Sequence, residues 1–197
     1  MLNIGVLISG GGTNLQSIMD GTISGEIDGA VKVVISNKEN AYGLERAKNN
    51  GIEAIFESEE DKIIEILKNR EVDLVVLAGY LKIISTKFIN EYRNKMINIH
   101  PSLIPAFCGK GFYGQKVHQG VIDYGVKFSG ATVHFVDEGT DTGPIIMQDI
   151  VEVKADDDAK TLAKRVLEVE HRILKKSVAL FCKNKLRVED RRVFIDE

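Results

Sequence analysis

Short apolar runs alternate with helical stripes through the first hundred residues, and this alternation limits the possible folds more than any other feature. Leu2 to Ile8, Val31 to Ser36 and Met96 to Ile99 are strand-like runs. Asp73 to Ala78 is nearly all apolar, as a central strand covered on both faces would be. Strands that alternate with helices predict a parallel sheet with crossover helices.

The second half of the chain adds three further elements to this prediction. Phe128 to Phe135 and Ile145 to Val153 are β-like and predict an added antiparallel edge. Ala159 to Lys183 is amphipathic at helical spacing, and residues 186–195 predict a short hairpin. We expect an α/β, single-domain Rossmann-like fold over residues 1–197, with a mostly parallel sheet, helices on both faces, an antiparallel edge and a long C-terminal helix. Further helices are predicted near residues 15–20, 42–50, 59–69, 85–92 and 115–124, with a strand at 52–56.

Charge and composition argue against several classes of function. The formal net charge is −3, whereas nucleic-acid binding normally needs a concentrated basic surface. No run approaches the roughly 18 to 20 apolar residues that span a bilayer. Cys108 and Cys182 show no pairing pattern, and the N-terminus has no targeting signal. We expect a soluble cytoplasmic protein with free thiols and with no nucleic-acid or membrane partner.

A glycine loop, Ser9 to Asn14, stands between the first strand and the first helix. Backbone N–H groups at such a helix start can hold an anion. A Walker A loop would need a lysine after the glycines, and a dinucleotide fingerprint would need a third glycine where Leu15 stands. The loop suits one terminal phosphate monoester; the structural alternative is a turn that binds nothing.

Two polar side chains, Asn98 and His100, lie two residues apart at the end of a predicted strand and therefore share a face. Ligands bind at that end of an open α/β sheet. Asn98 can donate to a developing oxyanion and His100 can move a proton near neutral pH. Asp141 lies in a loop rich in turn formers. A structural histidine and a generic acidic turn remain open alternatives.

Other catalytic schemes find little support in the sequence. Cys108 has no catalytic signature around it, and no nucleophile elbow occurs. The histidines are scattered without metal-ligand spacing, so we expect no metal. His134, within a strand, is interpreted as structural, whereas His118 and His171 are interpreted as surface or packed residues of helices.

Five blocks of sequence together resemble the phosphoribosylglycinamide formyltransferase family, within the superfamily of folate-dependent formyltransferases. The resemblance covers nearly the whole chain. In this resemblance, the blocks that begin at Asn98 and at Asp141 are shared by the wider superfamily and indicate formyl transfer, while the glycine loop indicates the acceptor. The blocks are Ile8-Ser-Gly-Gly-Gly-Thr-Asn-Leu-Gln16, Asn98-Ile-His-Pro-Ser-Leu-Ile-Pro105, Asp141-Thr-Gly-Pro144, Leu77-Ala-Gly-Tyr80 and Val133-His-Phe-Val136.

This resemblance implies transfer of the formyl group of 10-formyltetrahydrofolate to the amine of glycinamide ribonucleotide, a reaction of purine biosynthesis. It implies a phosphate-binding half, about residues 1–95, and a folate and catalytic half, about 96–197. The implied catalytic residues are Asn98, His100 and Asp141; the implied ribonucleotide ligands are Gly12, Thr13, Asn14 and Glu170; the implied folate ligands are Tyr80, Leu81, Lys82, Ile83, Ile84 and Asn98.

The implied mechanism is direct attack by the amine, with Asn98 and a protonated His100 stabilising the tetrahedral oxyanion. We expect Asp141 to raise the pKa of His100 and so keep that proton in place. The sequence departs from the family pattern at two places, which bear on the affinity for folate and on the motion of one loop. The loop Phe107 to Gln115 is long and glycine-rich, and no basic residue aligns securely with the contact to the folate tail.

Three other functions remain as alternatives. They are another folate formyltransferase, such as one acting on methionyl-tRNA, a formyltetrahydrofolate hydrolase, and a non-catalytic phosphosugar-binding module. The first normally carries an added C-terminal domain, and the second an added N-terminal domain. The sequence leaves open whether the protein is a monomer or a homodimer.

Overall fold

A nine-stranded sheet forms the centre of the protein in the computed structural model, which describes residues 1–196. Glu197, the last residue of the predicted domain, lies outside the described residues. The spatial order of strands is β3-β2-β1-β4-β5-β6-β7-β9-β8. The strands are β1 (Leu2–Ile8), β2 (Gly29–Ser36), β3 (Glu53–Phe56), β4 (Leu74–Leu77), β5 (Met96–His100), β6 (Phe128–Phe135), β7 (Ile145–Glu152), β8 (Leu186–Glu189) and β9 (Arg192–Ile195).

Six helices connect or follow these strands and cover both faces of the sheet. α1, α2, α5 and α6 contribute to one apolar cluster, while α3 and α4 contribute to a second. Val76 of β4 belongs to the first cluster and its neighbours Val75 and Leu77 to the second, as the alternation of a strand requires. The helices are α1 (Thr13–Ile23), α2 (Tyr42–Asn49), α3 (Glu60–Asn69), α4 (Thr86–Glu91), α5 (Gln115–Tyr124) and α6 (Ala159–Cys182).

The pairing of strands confirms the predicted fold class. β3, β2, β1, β4 and β5 pair in parallel, and β6 and β7 continue the sheet in antiparallel pairs. All four residues of β4 are buried, which confirms its interior position. Among residues 1–196, no helix combines the length and the apolar character needed to cross a membrane.

The C-terminal hairpin changes one detail of the prediction. β8 and β9 form the expected antiparallel hairpin, but β9 also pairs with β7 through Ile145 and Arg192. The edge of the sheet on that side is therefore β8, and β6 and β7 lie inside it. Arg191 donates to the carbonyl oxygen of Thr142 over 2.8 Å, which ties the hairpin to the loop after β6.

A reversal of strand order places the loops after β1 and β4 beside one crevice. The chain builds outward from β1 through β2 to β3, then crosses back to place β4 on the other side of β1. Loops diverge at such a switch point and leave a crevice at the carboxyl ends of the strands. The N–H of Ser9 donates to the carbonyl oxygen of Gly79, and the N–H of Leu81 donates to Ser9 Oγ. The glycine loop and the predicted folate segment are therefore directly connected.

Leu74→Ala tests how much the buried strand β4 contributes to the free energy of unfolding. Leu74 is fully buried, so its truncation removes apolar contacts and leaves a cavity, with an expected loss of about 2–5 kcal/mol of unfolding free energy. Leu81→Ala is the matched control, because Leu81 is 52% exposed. Chemical denaturation measures both. Equal losses in the two variants would contradict the interior position of β4.

Candidate active site

Asn98 and His100 reach the site from the end of β5, and their neighbours on β6 are set by the strand register. Asn98 is paired with His134 and His100 with Thr132. Asp141 enters from the loop after β6, with φ of 59° in the left-handed region. His100 Nδ1 lies 3.5 Å from Asp141 Oδ2. The structure thus brings together the three side chains that the sequence singled out.

His134, which the sequence led us to interpret as a structural residue, lies in contact with the same cluster. Its Nε2 lies 3.0 Å from Asn98 Nδ2 and 3.8 Å from Asp141 Oδ1. Its Nδ1 faces the carbonyl oxygen of Phe135 at 2.8 Å, which assigns the ring hydrogen to Nδ1 and leaves Nε2 to accept from Asn98. His134 therefore orients the amide of Asn98. This contact depends on the register between β5 and β6, which the sequence alone does not reveal.

Burial dominates the protonation of His100. The side chain is 6% exposed, and this desolvation lowers the pKa of His100 below its ordinary value. The Asp141 carboxylate and the carbonyl oxygen of Phe107, 3.0 Å from Nε2, both act to raise the pKa, while His134 lowers it. The expected direction of the Asp141 effect is therefore correct. The expectation of a protonated His100 is wrong for this arrangement, because burial outweighs the carboxylate.

The glycine-rich segment between β5 and α5 packs on this pair. The N–H of Gly109 donates to Asp141 Oδ2 over 2.9 Å, beside the contact of Phe107 with His100. The Phe107 ring meets Phe112 and Tyr124 edge to face. Backbone groups of the loop therefore occupy one polar atom of each member of the pair.

The Cys108 thiol and the His118 imidazole, near this pair, both favour their uncharged forms. Burial raises the pKa of the Cys108 thiol, and the Asp141 carboxylate raises it further. His118 is packed, as interpreted, and burial lowers its pKa to about 4, with a smaller effect from His100. Neither group offers a ready nucleophile or cation at neutral pH.

The predicted ribonucleotide ligands form one group at the start of α1. Gly12 adopts φ of 71° immediately before the helix, and Thr13 is the first helical residue. Asn14 Nδ2 donates to Glu170 Oε2 over 2.7 Å, although the two residues are 156 positions apart. Asn14 Oδ1 is buried without a partner among the described residues. A ligand with a hydrogen-bond donor would satisfy it.

Glu170 carries the most perturbed carboxyl group near the loop. It is 8% exposed, and burial raises its pKa to about 7, while the hydrogen bond from Asn14 acts in the opposite direction. A shallow cavity of about 200 Å³ lies on the same side of the protein. Its lining residues are Thr13, Gln16, Ser17, Asp20, Arg46 and His171.

The predicted folate segment, residues 80–84, is largely open. Leu81 and Ile83 are 52% and 79% exposed, while Tyr80 and Ile84 pack partly against the second apolar cluster. Lys82 donates to the carbonyl oxygen of Ser58 over 2.5 Å. The segment offers apolar side chains beside backbone groups, as a planar ring system would need. Within the described part of the chain, no group of three or more histidine, cysteine, aspartate or glutamate residues is placed to hold a metal ion.

Comparison with known proteins identifies the same architecture elsewhere. The family model described as "Formyl transferase" matches residues 2–178. A chloroplastic phosphoribosylglycinamide formyltransferase of Vigna unguiculata is 44% identical over 93% of this chain, which spans 62% of that relative's length. The crystal structure of glycinamide ribonucleotide transformylase 1 from Symbiobacterium toebii is 43% identical, with a TM-score of 0.94 over 100% of this chain and 95% of that one. A formyltetrahydrofolate deformylase from Pseudomonas syringae is 26% identical, with a TM-score of 0.90 over 100% of this chain and 66% of that one.

The raised pKa of Glu170 predicts a pH dependence of stability. Because the folded pKa of about 7 lies above the ordinary 4.5, the stability contribution is fully present below pH 4.5 and is lost as pH rises through 7. Relative to Glu170→Gln, the parent should lose up to about 1.4 kcal/mol per pH unit in that window. Glu168→Gln, an exposed change on the same helix, is the control. Denaturation at several pH values checks this; parallel curves for parent and Glu170→Gln would contradict it.

The environment of His100 predicts a second titration result. In Asp141→Asn the attraction to the charged ring is removed, so the pKa of His100 should fall further below 6.5. Asp156→Asn, which neutralises an exposed aspartate before α6, should leave it unchanged. NMR titration of the ring measures both. If the pKa of His100 is unaltered in Asp141→Asn, Asp141 has only a structural role in the turn.

Proposed function

The chain belongs to the formyl transferase family, and on that premise we propose that it transfers the formyl group of 10-formyltetrahydrofolate to the amine of N1-(5-phosphoribosyl)glycinamide, a step of purine biosynthesis. The observation that carries the proposal is the convergence of Asn98, His100 and Asp141 at the crevice that also receives the glycine loop. The names of the Vigna unguiculata and Symbiobacterium toebii proteins support the choice of acceptor.

The acceptor binds through its phosphate at the glycine loop. Gly12 and Thr13 offer backbone donors at the start of α1, and a helix N-terminus favours an anion. Asn14 and Glu170 lie next to the loop and provide a buried polar pair for the remainder of the ribonucleotide. The ribonucleotide then extends along the carboxyl ends of the strands toward His100.

The folate binds against residues 80–84. Tyr80, Leu81, Ile83 and Ile84 supply apolar surface for the pterin ring, and backbone groups of this segment, including Lys82, read its polar edge. Because the N–H of Leu81 donates to Ser9 Oγ, the donor and acceptor sites share a wall. The phosphate-binding half, about 1–95, therefore also contributes folate contacts, and Glu170 of the other half contributes to the ribonucleotide site.

The reaction needs stabilisation of an oxyanion and movement of one proton. The amine nitrogen forms a bond to the formyl carbon, whose oxygen becomes the oxyanion, and the bond from that carbon to the folate nitrogen then breaks. Asn98 Nδ2 gives one hydrogen to His134 and has a second hydrogen for the oxyanion. Asn98 thus stabilises the charge without a change in its own protonation.

A neutral His100 fits the proton movement. It can accept the proton that the attacking amine sheds and return it to the departing folate nitrogen. Asp141, 3.5 Å away, stabilises the imidazolium that exists between the two transfers. The contacts of Phe107 and Gly109 with this pair must loosen for His100 to face the substrates. Positioning two bound molecules supplies a further large part of the rate acceleration.

Hydrolysis of formyltetrahydrofolate is the second candidate, because the fold of the Pseudomonas syringae deformylase matches over the whole of this chain. The lower identity, 26% against 43%, favours formyl transfer to the ribonucleotide. Transfer to a tRNA acceptor would need basic surface, which the net charge of −3 does not favour. A phosphosugar-binding module would have no use for the cluster around Asn98.

The proposal extends to the compartment and the assembly of the protein. Cys108 and Cys182 are unpaired, which fits a reducing compartment, and we assign the protein to the cytoplasm. All the proposed ligands lie on one chain, so a monomer or a homodimer can be active.

Turnover with both substrates tests the proposal. The parent should release tetrahydrofolate only when glycinamide ribonucleotide is present, whereas a hydrolase would release it without the acceptor. Asn98→Ala removes an oxyanion donor and should lower kcat about 10²- to 10³-fold. Asn69→Ala, an exposed change at the end of α3, should leave kcat unchanged. Acceptor-independent release, or equal rates for the two variants, would contradict the proposed function.

A further inference from the structure

We infer that α2 carries a clamp that turns the amides of the glycine loop outward, toward a bound phosphate monoester. The clamp consists of Gly43 and Arg46, and it makes Arg46 a positioning residue for the phosphate. The origin of that phosphate in a ribonucleotide rests on the proposed function, whereas the geometry of the donors does not.

Three consecutive carbonyl groups of the loop are held by the protein itself. Gly10 accepts from the N–H of Gly43 over 3.0 Å, and Gly11 accepts from Nε of Arg46 over 2.7 Å. Gly12 accepts from the N–H of Gln16 over 2.9 Å, as the first carbonyl of α1. Two of these three bonds therefore come from α2, which follows β2 rather than β1.

The direction of these carbonyls fixes the direction of the amides. In a planar trans peptide the N–H of the next residue points opposite to the carbonyl. The N–H groups of Gly11, Gly12 and Thr13 therefore point away from their carbonyl partners. No hydrogen bond from these amides to any described residue is present. Successive unpaired N–H groups at a helix start form a concave site for an anion.

The clamp works only because two glycines cross at close range. A Cβ on Gly12 would lie 2.7 Å from the Cα of Gly43. A Cβ on Gly43 would lie 2.3 Å from Ile8 Cδ1 and 3.2 Å from the carbonyl oxygen of Gly10. A side chain at Gly12 would push against the backbone of Gly43, and one at Gly43 would displace Ile8 and crowd the carbonyl oxygen of Gly10. Gly12 also needs its left-handed φ of 71°.

Arg46 is itself fixed on both sides. Its guanidinium carbon lies 5.0 Å from the centre of the Tyr42 ring, and Nη1 lies 3.3 Å from Gln16 Oε1. It lines the shallow cavity together with Thr13, opposite the acidic Asp20. A rigid guanidinium that already donates to Gly11 can hold the peptide plane between Gly11 and Gly12 in one orientation.

Arg46→Gln and Lys48→Gln form a matched pair for the test. Both remove one positive charge from α2, but Lys48 is exposed and pairs only with Glu45 on its own helix. We expect the ligand-free amide NMR signals of Gly11 and Gly12 to shift in Arg46→Gln and to stay in place in Lys48→Gln. A role of Arg46 through charge alone would leave these signals unmoved and would overturn the clamp. Thermal unfolding of both variants monitors the fold.

Titration with ribose 5-phosphate gives the second readout. In the parent and in Lys48→Gln, the amide signals of Gly11 and Gly12 should move on binding. In Arg46→Gln the affinity should fall about 10-fold, the effect of losing one charged hydrogen bond. In turnover, the KM for the ribonucleotide should rise, with the KM for folate and kcat unchanged. Equal affinity in the two variants would overturn the inference.

The same experiment separates the clamp from the proposed function. If the parent binds ribose 5-phosphate at the loop and only Arg46→Gln weakens it, the clamp stands even where no formyl transfer is detected. If formyl transfer occurs but the signals of Gly11 and Gly12 do not respond to ribose 5-phosphate, the clamp is overturned and the reaction stands. Should Arg46→Gln unfold, Gly43→Ala replaces it, with the same expected shift of the ligand-free signals and the same loss of affinity.

Discussion

The parallel pairing of β1 with β4 is the constraint on which the site depends. Both strands are almost wholly buried, so helices must cover each face of the sheet. Each crossover helix is joined to the sheet by loops at the strand ends. Because the order of strands reverses between these two, their carboxyl ends open into one crevice. The glycine loop, the segment at 80–84 and the end of β5 meet there for that reason, although they lie far apart in the sequence.

Burial then decides the chemistry of the groups that meet. His100 and Glu170 are both removed from water, and in each case desolvation outweighs the nearest stabilising partner. The result is a histidine that favours the neutral form and a carboxyl group that titrates near neutral pH. Asp141 keeps a pKa below its ordinary value against the same desolvation, and its carboxylate accepts the N–H of Gly109. Groups with perturbed pKa values thus lie both at the end of β5 and beside the glycine loop.

Two parts of the chain divide the proposed reaction. In the proposed function, the β5–β6 pair provides Asn98 and His100 for the transfer of the formyl group, and the loop after β1 is the proposed phosphate site of the acceptor. The sheet holds these parts at the ends of different strands, and the backbone bond from Ser9 to Gly79 joins the glycine loop to the segment that follows β4. A change in the glycine loop or in the α2 clamp can therefore alter which acceptor binds without disturbing the groups that act on the formyl carbon.

The sequence by itself determined the features that depend on the spacing of apolar residues and on which residues lie at the ends of strands. The apolar run at Asp73 to Ala78 indicated an interior strand, and the two-residue spacing of Asn98 and His100 placed both on one face. Only the tertiary structure decided which distant groups meet and how much water remains between them. His134 joined the cluster through its register with β5, and the lowered pKa of His100 followed from burial. Arg46 reached the glycine loop only because α2 packs against it. The spacing of apolar residues can be read from neighbouring positions in the sequence, whereas desolvation and long-range pairing arise from the packing of the whole chain.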